Sequence, residues 1–334
     1  MSQDSLNIPT TGTLSGLALV QAINAALANL ATNASGATDP SSLPGGVLPY
    51  SLWFDTSSAQ PVLRQRNSAN GAWTGLAVAP GAKPHHVAQL QQVGHGQCRL
   101  NYVTATSIAL VPCDGQNLLI NGVPQPVPAA GVVLANTGLA ASTFFYIYAY
   151  MSGDTMTLEP STTAYAVASN GVVTKAGDAA RTLVGAVFTS AGGQFQSNSI
   201  ARCVISYFNR RALSFQNLGT VGAFTNTTHS EVSTARRVAF IAWADDAVEA
   251  VLTGSVTNST QTGTTNIGLD LDGATAGPTS SFTAAAAGNS GGVASGASLH
   301  VSEGILHNFQ IFGSVSASTS GSMAAANISG VVRG

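Results

Sequence analysis

The sequence predicts a mainly β protein: an N-terminal helix, a small β-hairpin module, then two antiparallel β-sandwich or jelly-roll-like domains. Three observations lead there. Short β-prone runs, such as Phe144 to Met151 (FFYIYAYM) and Val238 to Trp243 (VAFIAW), alternate with Gly, Asn and Pro turn signals. Near the start, Leu17, Val20, Ile23, Leu27 and Leu30 fall at spacings of three and four, which is one face of a helix. The 334 residues include only 12 basic and 14 acidic ones, so 8% are charged, against the ~25% of ordinary globular domains.

Residues 1–46 are expected to form an extended segment and an amphipathic helix for attachment or oligomerisation. Thr13 or Ser15 can cap its start, and Gly36 lies just past its expected end. The helix is Ala-rich and uncharged, and marginal alone at this length, so packing against copies of itself or a partner is expected, with a helix folded back on its own domain as the alternative. Residues 37–46 (ATDPSSLPGG) read as a linker, since Pro and Gly punctuate them and no periodicity survives.

A small β module is expected over 47–80. Its strands are Ser51 to Thr56, Val62 to Arg66 and Ala72 to Leu76, with a turn at Asn67 to Gly71. Trp53 and Trp73 supply most of its apolar area. A central sandwich follows over 81–212. Its strands start at Cys98, Ser107, Asn117, Phe144, Thr155, Arg181 and Ile200, the last running to Phe208, and Asn121-Gly122 marks a hairpin turn. The third β domain, 213–334, is expected to face outward and bind a receptor. Its strands are read at 238–243, 247–252, 266–271, 297–301, 308–315 and 325–332, with 273–296 left as a long exposed loop of small residues.

The string SLWFDTSSAQPVLRQRNSANGAWTGL resembles a small β module of tailed-bacteriophage tail fibres and related appendages. Trp53, Asp55, Thr56, Leu63, Arg64, Arg66, Asn67 and Trp73 carry the likeness, over about 60 residues with the Ala-rich helix upstream. A second stretch, GDAARTLVGAVFTSAGGQF with ARCVISYFNRR, resembles a segment of phage and prophage tail proteins. The resemblance implies a structural virion protein made in the bacterial cytoplasm. It would be a tail fibre or spike-like appendage, homotrimeric, attached to other virion proteins of the tail, baseplate, collar or portal region, and binding a host surface glycan or protein. A head- or collar-attached fibre or decoration protein stays open at this point, and so does a glycan-degrading tailspike enzyme.

Composition narrows the partners. A net charge of -2 without a basic run offers no footprint for nucleic acid. The longest apolar runs fall well short of the ~20 residues of a spanning helix, so no membrane insertion is expected. No Lys or Arg precedes Arg64, which removes the positive region of a secretory signal. Cys98, Cys113 and Cys203 read as free thiols, with a Cys98–Cys113 bridge across neighbouring strands as the other option.

Few residues invite chemistry, and neither catalysis nor a cofactor is expected. Trp243, Asp245 and Asp246, with Glu249 nearby, are the best local group for a carboxylate site or a receptor-facing patch; a plain turn is the simpler reading. His85, His86 and His95 with Cys98 match no closed metal pattern, although a histidine on a trimer axis could gather a shared ion. Asp270-x-Asp272-Gly273 lacks the distal glutamate of a calcium loop and reads as a turn.

Overall fold

The computed structural model describes residues 15–31, 35–42, 47–57, 62–78 and 94–334. The chain divides into two compact units, residues 1–93 and 94–334. No helix among the described residues is long and apolar enough to cross a membrane.

In the first unit the helix α1 spans Gly16–Ala31. Ser15 caps it, its Oγ accepting the Ala18 N–H at 3.2 Å; Thr13 lies outside the described residues. Strands Leu52–Asp55, Val62–Arg66 and Trp73–Val78 form an antiparallel meander. The turn between the last two is fixed by Asn67, whose Oδ1 accepts the N–H of Gly71 at 2.8 Å. The linker reading needs correction over 37–42, while residues 43–46 lie outside the described residues. Ser35–Gly36 adds a parallel strand to Leu52–Asp55, and Pro40–Ser42 forms a 3-10 turn. Both tryptophan indoles reach back to this segment, and those bonds draw it into the module.

The second unit holds two sandwiches. In the central one, strand Phe144–Ser152 lies between Thr155–Ser161 and Asp178–Phe188. Tyr165–Val167, Val173–Lys175 and Val204–Ser206 extend that sheet. Asn121 and Gly122, at φ 51° and 72°, form the tight turn between Asn117–Ile120 and Val123–Pro126, a conformation that Asn-Gly adopts with little strain.

Period-two geometry explains the unbroken apolar run FFYIYAYM. Phe145, Ile147 and Ala149 pack with Leu100, Ile108 and Leu110 from the small sheet of Cys98–Thr104, Ser107–Pro112 and Val132–Ala135. On the opposite face Tyr146 and Tyr148 pack with Leu183, Ile205, Ile241 and Trp243. Both faces are buried, so polar alternation would have no use.

The C-terminal sandwich sets a four-stranded sheet against a larger one. The four strands are Ala212–Phe224, Gly321–Arg333, Ala247–Asn258 and Ser290–His300, in that spatial order. Thr264–Leu271 and His307–Val315 are central to the facing sheet. Phe215, Phe240, Leu252, Leu269, Phe309 and Ile328 lie in the core between them.

The strand readings depart from the structure at three places. Residues 273–296 are not one loop, because Ala274–Thr275, Ser280–Thr283 and the start of Ser290–His300 are strands. Ala212–Phe224 carries no expectation from sequence, yet it is one of the two longest strands. The predicted strand over Ile200 to Phe208 is two pieces. Ala201–Arg202 pairs in parallel with Val238–Phe240 in the C-terminal sandwich, and Val204–Ser206 pairs with Asp178–Phe188 in the central one. Cys203 sits at the change of sheet.

Candidate functional site

The residues that carry the phage-module likeness come together and bind one another. The Trp53 and Trp73 rings meet at 5.3 Å, tilted by 58°. Arg64 lies over Trp53 and Arg66 over Trp73, at 5.8 and 5.2 Å from the ring centres. Arg64 Nε donates to Asp55 Oδ2 at 2.8 Å, and Arg66 Nε donates to Asn70 Oδ1 at 2.9 Å. Trp53 Nε1 donates to the Gly36 carbonyl, and Trp73 Nε1 to Asp39 Oδ1 at 2.8 Å. The Thr56 N–H donates to the Gly36 carbonyl, and Leu63 pairs with Phe54 across the meander. Burial alone would raise the Asp55 carboxyl. Hydrogen bonds from Ser57 and the Arg64 guanidinium outweigh that and hold it below the usual carboxylate range. Asp39 follows the same pattern: burial raises it, but Ser41, Trp73 and Arg66 bring it below its ordinary value. These side chains build the module.

Of the helix residues, Leu17, Val20, Ile23 and Leu27 are exposed, at 69%, 53%, 37% and 57%. The side chain of Leu30 lies outside the described residues. Neither end turn of α1 carries a compensating charge. These four large apolar side chains of α1 are therefore exposed.

The expected receptor-facing group requires a correction at Trp243. Its side chain is 1% exposed, packed edge-on against Tyr207 at 5.3 Å, with Nε1 donating to the Ser206 carbonyl at 2.9 Å. An indole that completes a core has no face left for a receptor. Arg210 lies over both the Tyr207 and Trp243 rings and donates to Asp245 Oδ1 and Asp246 Oδ2, each at 2.8 Å. Burial disfavours that guanidinium charge, but the two carboxylates more than restore it and raise its pKa. Asp245 and Asp246 thus serve as counter-ions to one arginine, while Glu249 lies on an exposed strand position.

The remaining candidates separate. His85 and His86 lie outside the described residues. His95 Nδ1 accepts the Leu119 N–H at 3.1 Å, and burial lowers its pKa. Burial pushes the Cys98 thiol up to about 12, with the Cys113 charge adding to it, and burial does the same at Cys203. All three cysteines are free thiols. Among the described residues no three His, Cys, Asp or Glu side chains gather as metal ligands. Asp272 and Gly273 form the turn between Thr264–Leu271 and Ala274–Thr275; Asp272 Oδ2 meets His307 Nδ1 at 2.6 Å, and buried Asp270 meets His229 Nε2 at 3.3 Å.

Sequence reasoning missed the seam between the sandwiches. Glu303 accepts the Tyr165 hydroxyl at 3.1 Å. Burial first, then the Glu303 carboxylate, raises the pKa of the Tyr146 and Tyr165 phenols, Tyr165 to about 12. Beside them an open cleft of about 600 Å³ lies between Phe144, Tyr146 and Phe188 on one side and Gly304, Ile305 and Leu306 on the other. One signal for it was present: tyrosine and phenylalanine at both parities of the 144–148 run.

No protein-family model matches the sequence, and no curated protein matches it. Among solved structures, that of infectious bursal disease virus, Gx strain, aligns at TM-score 0.24 and 13% identity, covering 82% of this chain and 64% of that one. An exo-beta-1,3-galactanase from Phanerochaete chrysosporium aligns at TM-score 0.17 and 11% identity, covering 85% of this chain and 64% of that one. The chain spans just under two thirds of each neighbour. Superpositions this loose carry no argument about function; what stands is the mainly β, antiparallel sandwich architecture.

Proposed function

We propose that the chain is a structural subunit of a tailed-bacteriophage particle, a tail-fibre or spike-like appendage that assembles as a homotrimer and attaches the particle to the host cell surface. The observation that carries this reading is α1. A helix with Leu17, Val20 and Leu27 more than half exposed, and with no charge in either end turn, is poorly suited to an isolated protomer. It suits a helix that meets its own copies. The tryptophan–arginine module that follows, with its likeness to phage appendages, supports the same reading.

In this scheme residues 1–46 and the module dock the subunit to the particle, and the sandwiches of 94–334 face outward. Three weak sites on one appendage then gain avidity through effective concentration. Size-exclusion chromatography with light scattering is expected to give a trimer, and a clean monomer at micromolar concentration would sink the oligomer. Removal of residues 1–31, which spares the 35–42 segment held by the two indoles, is expected to leave a folded protein that no longer joins particles; unchanged incorporation would refute docking. Immunogold labelling of whole particles separates a tail position from a head or collar one.

A further inference from the structure

The geometry points to a binding site for a neutral saccharide in the cleft between Phe144–Phe188 and the Gly304–Leu306 turn. The floor comes first. Phe144 and Phe188 are directly paired on neighbouring strands, and Tyr146, two residues along, presents its ring on the same face. Further along, that aromatic face is covered by Ile241 and Trp243. At the Phe144 end it is left open, and the chain from Gly304 to Leu306 stands opposite as a second wall. Gly304, at φ 88°, makes the bend; a β-carbon there would lie 3.6 Å from the Tyr146 hydroxyl, so strain more than crowding keeps the position glycine. Ile305 is 49% exposed, a large aliphatic side chain held at the mouth.

The rim selects the ligand class. No lining residue is charged. Glu303, next to Gly304, accepts the Tyr165 hydroxyl at 3.1 Å. A phosphate therefore finds no counter-charge, and a cation finds none among the lining residues. Ser142 and Thr162 line the cleft, and neither hydroxyl has a hydrogen-bond partner among the described residues. Apolar rings below, unpaired hydroxyls at the edge and no net charge match a pyranose, with its C–H face and its ring of hydroxyls. The volume lies within the ~300–1,000 Å³ of small-molecule sites. The assignment deepens the surface-attachment reading and rests on it for its biological use, while its chemistry is tested on the purified chain.

The test is saturation-transfer NMR on the full chain with glucose, galactose, mannose, N-acetylglucosamine, maltose, lactose and cellobiose. N-acetylneuraminate serves as the anionic probe and cyclohexanol as the purely apolar one. At least one neutral sugar is expected to bind, with transfer strongest to the protons of one ring face. Ala164 is exposed at the rim, so Ala164→Trp fills the mouth without touching the core and is expected to weaken that sugar by about tenfold or more. Thr162→Ala tests the rim independently and is expected to weaken it less. The site is overturned if no neutral sugar binds up to about 20 mM, if only cyclohexanol binds, or if both variants, folded by circular dichroism, bind as the parent does. Particle labelling is a separate arm: a labelled particle with no sugar binding removes the site and keeps the appendage, and sugar binding by a protein absent from particles does the reverse.

Discussion

At the scale of single residues, the side chains that look most reactive are spent on structure. Trp243 is fully buried against Tyr207 and Tyr165, and it ties the loop after Val238–Phe240 to the Ser206 carbonyl. Trp243→Ala is expected to cost about 3–5 kcal/mol in chemical denaturation, the range for deleting a large buried aromatic. A loss under 1 kcal/mol would mean the seam collapses to refill the space. Asp39 and Asp55 make a pH prediction for the module. Their folded carboxyls lie below the unfolded carboxylate value of ~3.9. The stabilisation they give is therefore complete above that value and is lost as pH falls through their lowered folded values. The indole N–H resonances of Trp53 and Trp73 should lose dispersion over that acidic interval and be unaffected between pH 5 and 8; Asp55→Asn should shrink the effect, because Arg64 then lacks its anionic partner.

At the scale of elements, α1 offers the sharpest test. Val20→Glu places a charge in the exposed apolar row without disturbing any core, and it is expected to weaken self-association by about tenfold or more by light scattering. An unchanged oligomer would show that another element holds the copies together. Elements were legible in the sequence where one physical signal dominated. The helix announced itself through spacing, Phe144–Ser152 through an apolar run long enough to face two cores, and the 121–122 turn through Asn-Gly. Ala212–Phe224 and the 290–296 part of Ser290–His300 did not. Their inward positions include Asn217 and Ser295 as well as Phe215 and Val293, and their outward ones include Leu218 among Ser, Gln, Thr, Gly and Ala. Alternation of small polar with small apolar residues has little contrast. The cleft was hidden for another reason. Its two walls lie more than a hundred residues apart in sequence, and only the return of the chain at Gly304 brings Ile305 opposite Phe144.

At the scale of the whole molecule, residues 94–334 are two sandwiches with one shared strip. The 201–206 segment gives two residues to one sheet and three to the other, and the tyrosine–tryptophan cluster fills the space between. A boundary drawn at 212/213 therefore passes through a core. Calorimetry is expected to show one cooperative transition for this unit, and residues 94–212 alone should fail to give it, since Tyr146 and Tyr148 would face water. Two resolved transitions within 94–334 would show that the seam couples the sandwiches weakly.

The doubly covered strand Phe144–Ser152 also sets the protein's isotopic memory. Its amides are bonded to a strand on either side, and its faces are closed by side chains from two different sandwiches over most of its length. Solvent deuterium can reach those amides only when both coverings open together. Their exchange then reports the rarest opening of the unit. At the Phe144 end, where the cleft replaces Trp243 as the cover, a bound ligand would slow an exchange that the empty protein permits.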